Sequence, residues 1–227
     1  CLVGSGDVYK RQINYIALTG ALGAMGAKDI PPVPPLNLVG DFGGGGMLLA
    51  LGICAALVET AKSGLGQVID AAMTDGSALL MTMMFGMYSA GQWKDERESN
   101  LLDGAAHFYG CYECKYVKYI SIGSIEPQFY ASLIENMELD ASKFSNQFDK
   151  NSWPNLKELI GLRFKEKTRD EWCKIFTGKD ICFAPVLSLE ESLNNQHNLD
   201  RETFVEVAGI KQPAPAPRLS LIHISEP

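Results

Sequence analysis

A carboxylate followed by a run of glycines is the feature of this sequence best suited to chemistry. Asp41 stands in Leu36-Asn37-Leu38-Val39-Gly40-Asp41-Phe42-Gly43-Gly44-Gly45-Gly46, a few residues ahead of a helix predicted over Met47 to Lys62. Glycines let a ligand approach the backbone, and the free N–H groups of a helix start stabilise an anion such as an enolate or a thioester oxyanion. The same residues have a plainer use, in which Asp41 caps the helix and the glycines permit a tight turn. A second carboxylate, Glu126, falls between a predicted strand ending at Gly123 and a helix opened by Pro127. A strand-to-helix corner is well placed to face a cleft, although an acid there is also favoured by the helix dipole alone. Spacing leaves both choices open.

Other chemistries find less support. The glycine run has neither the spacing of a dinucleotide fingerprint nor the lysine of a phosphate-binding loop. Cys111 and Cys114 have the spacing of half a zinc site, but no second pair follows and His107 and His197 are not at ligand spacing, so no metal is expected. With 20 Lys plus Arg against 27 Asp plus Glu, the net charge of −7 argues against a nucleic-acid partner, which needs a cationic face. Met47 to Val58, the longest apolar run, is about half of the ~20 residues a bilayer span requires, so no membrane segment is expected. The 6 cysteines are scattered through a chain long enough to fold without staples, which suits free thiols in a reducing compartment. Met81, Met83, Met84 and Met87 read first as helix core, though flexible thioethers also suit variable acyl chains.

The elements that must position the two carboxylates follow from periodicity and punctuation. Ile13 to Gly26 alternates apolar and small residues, and the prolines from Pro31 to Pro35 impose an extended connector. Met47 to Lys62 is apolar on nearly all sides and reads as a buried helix closed by Ser63-Gly64. Gln67 to Ala71 is a strand candidate, and Thr74 or Asp75 could cap one long helix reaching about Gly91. Phe108 to Cys114 and Tyr116 to Ile122 alternate as a hairpin. Helices are predicted over Gln128 to Met137, Trp153 to Lys167, Thr168 to Phe176 and Glu190 to Leu193, the third with a capping box of Thr168 and Glu171. Ile181 to Leu187 and Phe204 to Val207 are strand candidates, and Gln212 to Pro217 reads as a stiff exit linker. Residues 1–12 and 219–227 resemble translated sequencing-adapter read-through and are expected to be non-native tails.

Five long segments, INYIALTGALGAMG, PPVPPLNLVGDFGGGGMLLALGICAAL, GQVIDAAMTDGSALLM, LLDGAAHFYGCYEC and IEPQFYASL, resemble in order the middle of the alpha-methylacyl-CoA racemase family, within the family III CoA-transferase superfamily. The resemblance covers essentially all of residues 13–218 and outweighs any short motif. It implies a racemase or epimerase that removes the α-proton of a 2-methylacyl-CoA on one face and returns it on the other, with Asp41 as one base. In the family the second base is a histidine in a G-H-D-I-N-Y motif, supported by the glutamate that falls here on Glu126. Only Ile13-Asn14-Tyr15 of that motif is present, and Arg11 and Gln12 stand in the His and Asp places. The departure reads as truncation, so the chain is expected to be an internal fragment without activity of its own. The alternative is CoA transfer between carboxylic acids, in which the same aspartate acts as a nucleophile.

The resemblance further implies that Asn37, Gly43, Gly44, Met73, Leu102, Tyr109 and Ile125 bind substrate, and that no cofactor is needed because coenzyme A is part of that substrate. The implied fold is α/β: residues 13–71 complete a large, open CoA-binding domain, 72–107 form a helical linker, 108–201 a small α/β domain, and 202–218 a return linker. Two protomers are expected to interlock as a homodimer. The implied compartment is the cytoplasm in a bacterium, or the mitochondrion or peroxisome in a eukaryote.

Overall fold

The computed structural model describes residues 11–219. The expected tails therefore lie largely outside the described residues; Gln12, at the edge of the first, is already the opening residue of helix α1 (Gln12–Leu18). Gln12 donates through its side-chain amide to the Leu36 carbonyl at 2.6 Å, and Ile16 is fully buried. A 3₁₀ turn at Leu22–Ala24 and the proline connector lead to a π-helical segment, Leu38–Met47, that runs directly into α2 (Leu48–Ser63). Its wide turn is visible where the Phe42 N–H donates to the Asn37 carbonyl at 3.2 Å, five residues back. Gly64, at φ +74°, closes α2 in the left-handed conformation expected of a helix-terminating glycine.

Three expectations are corrected in this half of the chain. The predicted helix at Met47 to Lys62 is present, but no residue of α2 is buried, and Leu51, Leu57 and Val58 are each about 60% exposed. Its apolar sequence calls for burial, yet among the described residues no second layer covers it. Thr74 and Asp75 do not cap one long helix; Ala72 precedes α3 (Met73–Leu80), and the chain bends at Met81 before α4 (Thr82–Ser89). Gln67 to Ala71 is irregular, because among the described residues no neighbouring strand supplies ladder hydrogen bonds.

The second half carries the sheet and the core. Strands β1 (Tyr109–Glu113), β2 (Tyr119–Gly123) and β3 (Phe183–Val186) form an antiparallel sheet in the order β1-β2-β3, with Tyr109 opposite Gly123 and Ile122 opposite Phe183. Helices α5 (Pro127–Asn136), α6 (Trp153–Lys165) and α7 (Arg169–Phe176) supply its packing layer. Phe108, Leu133, Met137, Ile160, Phe164, Trp172, Phe176 and Ile181 are all essentially inaccessible. Each such side chain contributes about 1.5–3 kcal/mol relative to exposure. Trp172 satisfies its one polar group by donating Nε1–H to the Phe164 carbonyl at 2.9 Å.

Two short helices, α8 (Leu189–Leu193) and α9 (Gln196–Asp200), precede the hairpin β4 (Phe204–Val207) and β5 (Ile210–Pro213). The expected stiff linker at Gln212 to Pro217 thus begins inside a strand: Ala208 and Gly209, both at positive φ, make the tight turn that folds it back on β4.

A polar staple links the halves. The Arg97 guanidinium donates to the carbonyls of Ala27 at 3.1 Å and Ile30 at 2.8 Å. Its neighbour Glu98 pairs with Lys157 of α6 at 2.5 Å, and Lys157 also donates to the Gly104 carbonyl at 2.7 Å.

His107 sits fully buried at the entrance to β1, with Nε2 2.7 Å from the Tyr130 hydroxyl and Nδ1 without a partner. Burial lowers its pKa from 6.5 to about 4. Above pH 6.5 both states hold a neutral ring; between 6.5 and about 4 only the unfolded chain binds the proton. Stability should therefore fall as pH drops through that window, by on the order of 3 kcal/mol in all, and level off below it. Denaturant titrations across pH 7 to 3.5 check this, and the slope assigned to His107 should vanish in His107→Asn.

Candidate functional site

The first patch surrounds Asp41. Helical geometry begins at Leu38 rather than after the glycines, so Gly43 to Gly46 lie inside the π-helical run and do not form the open helix start that the sequence suggested. The N-terminal amides are those at the first turn, next to Asp41 itself. Asn37 is the exposed residue at the N-cap, and its side chain makes no capping bond. Asp41 is exposed, and among the described residues its carboxylate accepts no hydrogen bond, so the capping role is not what holds it.

The glycines position this segment by what they lack. A Cβ on Gly76 would stand 1.8 Å from the Gly44 carbonyl oxygen, and one on Gly44 would stand 2.7 Å from the Ser77 backbone nitrogen. The π-helical run and α3 therefore meet backbone to backbone, a contact only glycine permits. On the opposite side Gly40 lies against Gln12 and Ile16 of α1. Met73, first residue of α3, lies against Gly45, and Gly43 lies against Leu38 and Leu80. Asn37, Asp41, Gly43, Gly44 and Met73 thus share one patch.

The second patch surrounds Glu126, the residue preceding α5, whose Pro127 stands in the first turn as the spacing required. Glu126 is exposed and makes no capping hydrogen bond. Ile125 packs on the buried cluster, and the Tyr109 ring lies over Gly123. Leu102 is half-buried in the turn that follows Asn100, whose amide N–H donates to the Asp103 carboxylate at 3.1 Å.

The segment carrying Asp41 packs on α1, α2 and α3, whereas Glu126 follows β2 and precedes α5. Neither carboxylate lines any of three cavities found among the described residues. One of these, of about 200 Å³, is lined by Met81, Met84, Phe85, Tyr88 and Trp93. Another, of about 560 Å³, lies between α7 and α8 beside Arg169 and Glu191.

Sequence reasoning missed two polar locks, one joining α7 to α8 and one behind the second patch. Arg169, nearly buried, donates to both carboxylate oxygens of Glu191, at 2.8 and 2.9 Å, and to the Val186 carbonyl at 2.9 Å. The Arg169 guanidinium holds the Glu191 carboxyl well below the usual carboxylate range, with help from Lys118 at 2.7 Å and the Ser188 backbone. The Ser188-x-x-Glu191 spacing of a capping box would have exposed this helix start. Gln147, which donates to the Ser124 and Ile125 carbonyls at 3.0 and 2.9 Å, carries no such signal.

Residues 11–225 match CoA-transferase family III, and the chain belongs to that family. Among its relatives, alpha-methylacyl-CoA racemase of Mus musculus is 44% identical over 214 residues, covering 94% of this chain and 56% of the mouse protein. The Homo sapiens racemase is 42% identical over 210 residues, covering 92% of this chain and 55% of that protein. The chain thus spans about half the length of the curated relatives it matches. The fold is similar to the crystal structure of the hypothetical protein Rv3272 from Mycobacterium tuberculosis, with a TM-score of 0.73 at 18% identity over 96% of this chain and 60% of that one.

The backbone contact beneath Asp41 makes a specific expectation. Gly76→Ala should push α3 off the π-helical run and destabilise the chain by about 1–3 kcal/mol, with faster amide exchange in Leu38–Met47. Gly66→Ala, where an added Cβ meets nothing within 4 Å, should leave both the melting temperature and that exchange unchanged.

Proposed function

We propose that the protein carrying this chain interconverts (R)- and (S)-2-methylacyl-CoA thioesters by removing and returning the α-proton. Support comes from the 44% identity to the mouse racemase along nearly the whole chain and from one observation of geometry. Gln12, the first residue of α1, lies against Gly40, next to Asp41. Arg11, in the place where the family pattern has its histidine, immediately precedes it. A base at that position would share a neighbourhood with Asp41, as removal and return on opposite faces of one carbon requires.

In this reading Asp41 takes or gives the proton on one face. Its exposure and lack of side-chain partners leave both oxygens free to accept. The amides of the first turn of Leu38–Met47 are the candidate donors to the enolate oxygen, where charge develops as the proton leaves. Glu126 acts through the second base, orienting it and favouring its protonated form. Because Glu126 and Asp41 lie on separate patches of one chain, this reading needs the interlocked homodimer, in which a partner brings the second patch to the first.

The exposed apolar surface of α2 accords with a protein partner. Leu38–Ser63 forms 26 residues of continuous helix long and apolar enough by composition to cross a membrane. However, it carries Asp41, Glu59 and Lys62, and its glycine half is packed on α1 and α3, which favours burial against protein. The acyl-CoA substrate brings its own coenzyme A, and the reading calls for no metal or other cofactor.

The test is deuterium incorporation at C2 of a 2-methylacyl-CoA in heavy water by the complete protein. Asp41→Asn should slow exchange by about 10²–10⁴-fold, and normal exchange in that variant would remove Asp41 from the mechanism. Family membership also admits CoA transfer with Asp41 as nucleophile; a hydroxylamine-trapped adduct on Asp41 would favour that chemistry over racemisation.

A further inference from the structure

Glu126 has an exposed carboxylate without a capping hydrogen bond, so its position is set through the backbone on either side. Downstream its carbonyl accepts the Tyr130 N–H at 3.0 Å and starts α5. Upstream the chain is anchored by Ser124, which is fully buried and ties three separate segments to one point. Its N–H donates to the Phe108 carbonyl at 2.9 Å, its hydroxyl donates to the Ile181 carbonyl, and its own carbonyl accepts from Gln147 Nε2 at 3.0 Å.

Gln147 does more than satisfy that one oxygen. The same amide nitrogen donates to the Ile125 carbonyl at 2.9 Å. Those two carbonyls belong to the successive peptide groups that join Ser124 to Ile125 and Ile125 to Glu126. An amide bonded to both fixes the two planes together, and with them the direction in which the Glu126 side chain leaves the backbone. Gln147 is held in turn: it is 7% exposed, and its backbone carbonyl accepts the Nε1–H of the buried Trp153 at 2.8 Å. Volume alone does not explain this residue, since a methionine would fill the space but leave two carbonyls without their donor.

We propose that Gln147 is a positioning residue for Glu126, acting from 21 positions away in sequence through the two peptide groups that precede it. The inference rests on the role given to Glu126 above. Its consequence is that the glutamate can stay free of side-chain partners, available to the second base, and still be aimed.

The experiment compares Glu126→Gln, Gln147→Met and the double variant in the complete protein, measuring α-proton exchange from a 2-methylacyl-CoA across pH. Glu126→Gln must lower kcat; if it does not, the role of Glu126 fails, and Gln147 has nothing to position. Given that loss, Gln147→Met should lower kcat by about 10- to 100-fold with KM changed little, and should shift the pH limb that Glu126→Gln shifts. The double variant should be no slower than Glu126→Gln alone, because both changes remove one effect. A Gln147→Met protein that melts earlier but keeps its kcat and pH profile would overturn the proposal, as would losses that multiply in the double variant. Should Gln147→Met fail to fold, Ser124→Ala decides: a kcat loss of about 10-fold that vanishes in the Glu126→Gln background supports the corner as the device, and an unchanged kcat overturns it.

Discussion

Burial of aromatic rings between one antiparallel sheet and α5, α6 and α7 is the constraint on which the second half of this chain depends. Phe164, Trp172 and Phe176 pack edge to face or tilted against one another, with centroids 5.3–6.2 Å apart. Phe108 meets Tyr130 and Trp153 in the same manner. These contacts bring β1, α5, α6 and α7 to a common centre, and the polar groups trapped among them have to pair with one another. The Trp153 indole reaches Gln147, the Tyr112 hydroxyl reaches the His107 carbonyl at 2.6 Å, and Ser124 reaches Ile181. The hydrogen bonds that aim Glu126 are thus a by-product of apolar burial, which makes most buried polar groups find partners.

Asp41 is held by the opposite means. The segment around it buries few side chains; what is buried is backbone, at Gly40, Gly44, Gly76 and the small Ser77. Close backbone approach gives an accurate position at low apolar gain, because little hydrocarbon leaves water. Apolar residues that would normally add stability, on α2 above all, face outward. A large exposed apolar surface of this kind marks an interaction surface.

Local chemistry made much of the second half legible. The hairpin alternation, the proline opening α5 and the Thr168–Glu171 box each specify an element from residues close in sequence, and each element is present. Legibility failed where the outcome depends on what lies across a gap. The apolar sequence of α2 calls for cover without saying what supplies it, and the π-helical run looks like a turn because glycines signal turns more often than wide helices. Asp41 and Glu126 were legible as carboxylates at chain corners. Their separation within one chain was not, because which elements pack together is a tertiary property. Gln147 was invisible for the same reason: an isolated glutamine in a polar loop has no spacing that betrays two distant carbonyl partners.

The separation of the two carboxylates joins assembly to chemistry in the proposed mechanism. In that reading Asp41 and the second base act on opposite faces of one carbon and must be held to within a fraction of an ångström, and Glu126, which orients the second base, stands on a patch built from other elements than those around Asp41. In the proposed interlocked dimer, covering apolar surface and bringing Glu126 toward a partner's Asp41 would accompany the same assembly. The energy of apolar burial then sets the geometry of proton transfer. Each patch needs to be rigid before assembly, since any slack in either is carried into the joint site. The glycine contact beneath Asp41 and the amide clamp behind Glu126 supply that rigidity by independent routes, one by removing side chains and the other by pairing the carbonyls of Ser124 and Ile125 with one buried amide.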